Sequence, residues 1–172
     1  MEKLHIKECS LEDIEKIKSI SKKTFYETYA EENTEENMEN YTKENFSYEQ
    51  LKSEIDNIGS KFYIVENDDE VAAYMKINFD IAQTETGYNN SLEVQRIYVL
   101  QKYKGKKIGT KLIEQAKSIG KNSNLDYIWL GVWENNIDGI KFYEKQGFEK
   151  FDTRIFELGD DKQIDNLMKF IL

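Results

Sequence analysis

The chain has 172 residues, with 24 lysines and arginines against 33 aspartates and glutamates, for a formal net charge of −9. That length suits one domain with a real core, read over residues 1–172, and the acidic balance argues against a nucleic-acid binder, which needs basic surface. No apolar run approaches the ~20 residues of a membrane span, and Met1-Glu-Lys-Leu-His-Ile-Lys7 lacks the basic-then-apolar layout of a signal peptide.

One cysteine, Cys9, cannot form an internal disulfide, which fits a reducing compartment and a cytoplasmic protein. It reads as a small buried hydrophobe near the first strand rather than a nucleophile. That strand is expected near Leu4–Lys7, where His5 alternates with Leu4 and Ile6. With no second histidine in the chain, His5 reads as structural rather than as a metal ligand or proton relay. Ser10-Leu-Glu-Asp13 has the layout of a capping box. The helix it opens carries Ile14, Ile17 and Ile20 on one face and continues towards Phe25. An acidic helical stretch follows to about Ile58. Phe62–Glu66 and Val71–Phe79 flank Asn67-Asp68-Asp69, a hairpin signal.

A strand at Leu92–Val99 then leads into a lysine-dense loop and a helix that turns Ile108, Leu112, Ile113, Ala116 and Ile119 inward. Tyr127–Trp133 is a continuous apolar run of buried-strand length. A helix from Asn136 and closing strands near Phe148–Leu158 and Leu167–Leu172 complete the order. No proline, repeat or low-complexity linker marks a boundary. Strands before helices, followed by antiparallel pairs, give an α/β chain of the mixed α+β kind around a mixed sheet.

The lysine loop stands out against the acidic background. It holds Lys102, Lys104, Lys106, Lys107 and Lys111, and no acid falls between Leu100 and Ile113. Gly105 and Gly109 allow backbone conformations closed to other residues, and the helix start beyond them favours anions. A phosphate-holding loop is therefore expected. It is neither a nucleotide P-loop, since no Gly-Lys-Thr ends it, nor a three-glycine dinucleotide fingerprint.

Lys104-Gly105-Lys106-Lys107-Ile108-Gly109 resembles the acetyl-CoA loop of the GCN5-related N-acetyltransferase (GNAT) superfamily, Gln/Arg-x-x-Gly-x-Gly/Ala. Lys104 replaces the first residue and Lys107 the first glycine, with Gly105 expected to take over some of the needed freedom. The superfamily's second signature, Asn-x-x-Ala-x-x-Phe-Tyr-x-x-x-Gly-Phe, is matched at Asn136, Phe142, Tyr143, Gly147 and Phe148, with Gly139 in place of alanine. The two motifs span about Leu92–Phe148. Thr24-Phe-Tyr-Glu-Thr-Tyr-Ala30 and the tail Gly159–Lys169 further resemble the Pai-type polyamine acetyltransferases, with Ile164 where threonine is expected.

The resemblance implies the acyl-CoA N-acyltransferase fold, a central mixed and mostly antiparallel sheet flanked by helices. It implies transfer of the acetyl group of acetyl-CoA to a primary amine by direct attack in a ternary complex, most readily to spermidine or spermine. The backbone of Ile97, Tyr98 and Val99 would bind the pantetheine arm as an added strand. The amides of Lys104, Gly105, Lys106, Lys107, Ile108, Gly109 and Thr110 would hold the pyrophosphate, and Asn136 and Lys145 resemble the remaining cofactor contacts. Tyr143 matches the tyrosine beside the CoA sulfur, the general acid. Glu93, eleven residues before Lys104, matches the general-base position of histone-type relatives, with Glu27, Glu134 and a water relay as rivals. No metal is implied, nor a nucleic-acid or membrane partner, and a homodimer is compatible with the resemblance.

Between Glu27 and Asp56 stand ten acids against Lys43 and Lys52, −8 of the chain's −9. In this superfamily that segment borders the acceptor, so an acidic rim would draw in polycations. Glu27, Glu31, Glu32 and Glu134 are the expected substrate-binding residues; the plainer alternative is a solvated helical face. Two other functions stay open: an acetyltransferase for a protein N-terminus, a lysine or an aminoglycoside, and a non-catalytic acetyl-CoA-binding regulator, against which Tyr143 argues.

Overall fold

A computed structural model describes residues 3–68 and 70–172. Strand β1 (Leu4–Glu8) is followed by the capping box: Asp13 Oδ2 accepts the Ser10 N–H at 2.9 Å, and Ser10 Oγ accepts from Glu12 at 3.4 Å. Helix α1 (Ile14–Tyr29) buries Ile14, Ile17, Ile20 and Phe25, as their spacing requires. The acidic stretch is two helices, α2 (Glu35–Asn45) and α3 (Tyr48–Asp56). Thr34 and Ser47 cap them, each hydroxyl accepting a first-turn N–H. The hairpin β2 (Ser60–Asn67) and β3 (Glu70–Phe79) forms where expected, although Asp69 of its turn lies outside the described residues. Then come β4 (Ser91–Val99), α4 (Ile108–Asn122), β5 (Tyr127–Trp133), α5 (Ile137–Lys145), β6 (Glu149–Leu158) and β7 (Asp161–Ile171).

β7 starts six residues before the expected Leu167. Gly159, left-handed at φ 63°, makes a two-residue turn with Asp160 and brings Asp161–Asn166 back onto β6. Those residues lack the apolar alternation of an ordinary strand because one of their faces looks onto a cavity.

The seven strands run in the order β1-β2-β3-β4-β5-β7-β6, and every pairing except β4–β5 is antiparallel. The parallel pairing covers only Ser91–Val94 against Tyr127–Leu130. Beyond it the strands part, so Gln95–Val99 presents an unpaired backbone edge on that side. A bulge starts the divergence: Ile77 pairs with Val94 but Lys76 with Arg96, leaving Gln95 as the extra residue.

The bulge also decides which side chains share a face. Paired residues lie on the same side of a sheet, so Glu93 and Arg96 join Tyr74, Lys76, Asn78, Trp133, Arg154 and Asp165 on one face. The opposite face carries Met75, Ile77, Val94, Ile97, Leu130 and Ile128. Helix α4 covers this apolar face with Ile108, Leu112, Ile113 and Ala116, all buried, while Ile119 is half-buried. Helices α1, α2 and α3 cover the polar one. Cys9 packs half-buried at the edge of the core, and burial pushes its thiol up to about 12, so it stays protonated and unreactive. His5 is exposed on β1.

Candidate active site

The gap between the parting strands opens into a cavity of about 880 Å³ that meets both sheet faces. One half is built from the lysine loop and α4. Gly105 and Lys107 are both left-handed, at φ 83° and 63°. Lys107, which stands where the motif has glycine, is thus left-handed itself, and Gly105 adds a second left-handed residue instead of relieving it. For a residue with a Cβ this costs roughly 1–2 kcal/mol.

Lys107 precedes α4 and offers its first turn no side-chain hydrogen bond, and the first bond into the helix runs from Lys111 N–H to Lys107 O at 3.1 Å. The amides of Ile108, Gly109 and Thr110 therefore have no intrahelical carbonyl. Their positive helix end faces the cavity, beside Lys104 and Lys107. The Ile97, Tyr98 and Val99 edge lines the adjoining wall. An open strand edge running into an uncapped helix start fits an extended arm that ends in phosphates.

Glycine has a different reason at position 109 than phosphate approach. A Cβ there would sit 3.2 Å from the Phe142 ring, so Gly109 lets α4 close on α5. At Gly139 a Cβ would meet the Asn136 amide at 2.6 Å. Asn136 Oδ1 accepts the Gly139 N–H at 3.0 Å and caps α5, so glycine in place of the motif's alanine makes room for the cap. Asn136 and Tyr143 both line the cavity. Tyr143 packs edge-on against Phe142 and Phe148, at ring distances of 5.2 and 5.9 Å. Burial alone raises its pKa, and among the described residues no hydrogen bond engages its hydroxyl. It is a protonated phenol facing the space between the two strands. Lys106 and Lys145 fall outside the lining: Lys145 is exposed, and Lys106 Nζ lies over the Tyr103 ring at 5.2 Å.

The other half differs from expectation. Glu93 is 0% exposed and does not line the cavity. Its carboxylate accepts from Asn78 Nδ2 at 2.9 Å, from the Thr84 N–H at 2.8 Å and from the Thr84 hydroxyl. It pins the β3–β4 loop, whose Thr84 and Glu85 are lining residues. Glu31 and Glu32, in the turn after α1, and Glu134, after β5, are exposed and off the lining. Of the four expected substrate-binding acids only Glu27 reaches the cavity, and its Oε2 already accepts the Gln101 N–H at 2.9 Å. The acidic run is thus mostly a solvated face. One of its members is not: Glu54 grips Arg96 with two bonds of 2.8 and 3.0 Å and lies 3.5 Å from Lys76. Burial opposes ionisation of Glu54, but Arg96 and Lys76 hold its carboxyl below the ordinary range; burial lowers Lys76 to about 8.

Sequence reasoning missed what does line this half: Glu85, Arg154, Glu157 and Asp165, and an aromatic wall of Phe25, Tyr29, Tyr41, Phe46, Trp133 and Phe156. Phe25 stacks on Tyr41 at 4.4 Å, and Tyr29 lies 5.5 Å from Trp133 and 5.8 Å from Phe156. Arg154 spreads its charge over Asp165 at 3.3 Å, Glu85 at 3.6 Å and Glu93 at 4.0 Å, and donates to the Thr84 hydroxyl at 2.9 Å. A signal for part of this was present. Phe25 and Tyr29 fall in Thr24–Ala30 and Asp165 in Gly159–Lys169, the two end segments with the narrower resemblance.

A model of the Acetyltransferase (GNAT) family matches residues 15–148. An uncharacterized N-acetyltransferase of Lactobacillus delbrueckii subsp. lactis is 36% identical over 164 residues, 95% of each chain. The spermidine N(1)-acetyltransferase of Thermoplasma acidophilum is 30% identical over 154 residues, 87% of this chain and 91% of its own. Among solved structures, the PaiA N-acetyltransferase of Thermoplasma acidophilum in complex with coenzyme A superposes with a TM-score of 0.82 at 27% identity, over 99% of both chains. A probable acetyltransferase from Staphylococcus epidermidis shares the fold, with a TM-score of 0.77 at 18% identity over 98% of this chain and 99% of its own.

Proposed function

The chain belongs to the Acetyltransferase (GNAT) family and is an acetyl-CoA-dependent N-acetyltransferase; we propose that its acceptor is a polycationic primary amine of the spermidine and spermine class. The observation that carries this reading is the charge of the acceptor half. Glu85, Glu157 and Asp165 line it against Arg154 and Arg96, and Arg96 is already gripped by Glu54 from behind. Aromatic faces complete the wall and attract cations in their own right. The 30% identity to a spermidine N(1)-acetyltransferase supports the same class.

The residues divide the work. Acetyl-CoA supplies an activated acetyl group. The amides of Ile108, Gly109 and Thr110, with Lys104 and Lys107, bind its phosphates, and the Ile97–Val99 edge aligns its arm with the sheet. The acceptor enters as an ammonium, because a lysine-like amine in water holds its proton up to about pH 10.4. It must lose that proton before it is a nucleophile. As the nitrogen–carbon bond forms and the carbon–sulfur bond breaks, the Tyr143 O–H protonates the departing sulfur, and the phenol is restored by the second proton leaving the nitrogen. Its raised pKa keeps that proton in place until the sulfur needs it.

A panel of amines with acetyl-CoA, read by CoA release, tests the acceptor class. Spermidine and spermine should give the highest kcat/KM, above monoamines, aminoglycosides and peptides. A peptide or a neutral amine leading the panel would overturn the proposal.

A further inference from the structure

We propose that Asp165 is the group that takes the proton from the acceptor ammonium, with Arg154 as its positioning residue. The inference rests on acetyl transfer to an ammonium at this site, not on which amine supplies it.

Asp165 projects from β7 on the polar face, paired with Trp133 on one side and Arg154 on the other. It is 6% exposed and lines the acceptor half. Oδ2 accepts from Arg154 Nε at 3.3 Å, while Oδ1 has no hydrogen-bond partner among the described residues and is not sealed from the cavity. The neighbouring strand gives way to this pair. A Cβ on Gly131 would stand 2.7 Å from Arg154 Nη2 and 3.2 Å from Asp165 Oδ2, so the pair packs directly over the bare backbone of this glycine and a side chain there would push the guanidinium aside.

The other acids are excluded by position or by partners. Glu93 is buried behind the wall with both oxygens engaged. Glu54 is held by Arg96, and Glu27 by a backbone amide. Glu85 and Glu157 stand at the more solvent-exposed rim, and Asp138, also on the lining, is exposed on the first turn of α5. Among the described residues, Asp165 alone combines enclosure, access and a free oxygen.

Its surroundings also suit a base. Burial raises the Asp165 pKa, which outweighs the pull of Arg154. Arg154 is the charged group facing it from β6, with its charge divided among Glu85, Glu93 and Asp165. From α1 and α2 it is faced by the phenols of Tyr29 and Tyr41, whose own pKa values burial also raises. A carboxylate whose pKa is moved towards that of the ammonium accepts its proton more readily. The ammonium proton moves to Oδ1, the nitrogen lone pair attacks the thioester carbonyl, and Asp165 returns its proton to solvent through the open mouth. The second nitrogen proton ends on sulfur by way of Tyr143, which completes the count.

The test is the pH profile of kcat/KM for spermidine in Asp165→Asn, Glu93→Gln and Arg154→Gln, with acetyl-CoA affinity measured alongside. Asp165→Asn should lose 10²–10⁴-fold at neutral pH, bind acetyl-CoA as the parent does, and recover towards pH 10 as the amine deprotonates unaided. Glu93→Gln should lose activity equally at every pH, as expected of a loop support. Arg154→Gln removes the group that holds the Asp165 pKa down, so the acid limb should move to higher pH; this variant keeps the proposal testable if Asp165→Asn does not fold. Undiminished activity in Asp165→Asn, a deficit constant with pH, an unmoved limb in Arg154→Gln, or the pH-dependent deficit appearing in Glu93→Gln would each overturn it. A preference for some other ammonium acceptor would leave this test intact.

Discussion

The two halves of the cavity are built by opposite means. The donor half is nearly continuous in sequence, from Ile97 through Thr110 and from Asn136 to Tyr143, and what it presents to the cavity is largely backbone: a strand edge and a helix start with no side-chain cap. The acceptor half draws side chains from α1, α2, the β3–β4 loop, β5, β6 and β7. A cosubstrate recognised through main-chain groups requires local geometry, and local geometry leaves motifs. An acceptor recognised through side chains requires only that distant residues converge, and convergence leaves no spacing to read.

Each half can be perturbed separately. The largest effect is expected at their junction. Tyr143→Phe should lower kcat by 10²–10⁴-fold with little change in acetyl-CoA affinity, because the lost proton donor acts on the departing sulfur. Stopped-flow and equilibrium binding measurements separate the two terms, and an unchanged kcat with chemistry rate-limiting would make Tyr143 a packing residue.

Next is the buried ion pair behind the acceptor wall. Glu54→Gln strands Arg96 and Lys76 and should cost about 3–5 kcal/mol of stability, the scale for breaking one side of a buried pair, measured by urea titration. The pair also gives a pH signature. The Glu54 carboxyl is held below its unfolded value, so its contribution is present at neutral pH and is lost as pH falls through its folded pKa. Lys76 has the same sign in a higher pH window. With a folded value of about 8 against 10.5, the unfolded chain binds its proton more tightly, so this group should add stability as pH rises from 8 to 10.5. Glu54→Gln should change both limbs, and identical curves would dismiss the network.

In the donor half, Lys107→Gly should raise stability by roughly 1 kcal/mol through relief of the left-handed backbone, while weakening acetyl-CoA binding through loss of a cation beside the phosphates. Thermal melts with and without saturating CoA show both, and a Lys107→Gly chain that melts lower without ligand would contradict the strain. The smallest effect is expected outside the site. Glu31→Gln with Glu32→Gln should leave the spermidine KM within about twofold, since neither lines the cavity and exposed charges beyond roughly 10 Å are screened at 0.1 M salt.

The legibility of the chain follows the same division. The capping box at Ser10, the apolar face of α4 and the bounds of β5 are local patterns, and the structure has them where the sequence places them. The start of β7 is hidden because Gln163 and Asp165 lie on its inward face, Asp165 lining the cavity and Gln163 accepting from Trp133, which removes the alternation that marks a strand. Glu93 stands out by its distance from the loop, yet the Gln95 bulge and the Thr84 loop, neither visible in a spacing, turn it into a buried support. The acidic run is legible as charge but not as position: only its path from the turn after α1 through α2 and α3 shows that Glu54 points inward and Glu31 outward.

The central claim, that a cation is recognised by the acceptor half independently of the donor half, is tested most directly by the double variant Glu85→Gln with Glu157→Gln. Its spermidine KM should rise at least about fivefold, the scale of a 1 kcal/mol loss, and lose part of its dependence on salt, while the acetyl-CoA dissociation constant stays that of the parent. An unchanged spermidine KM at both low and high salt would contradict it.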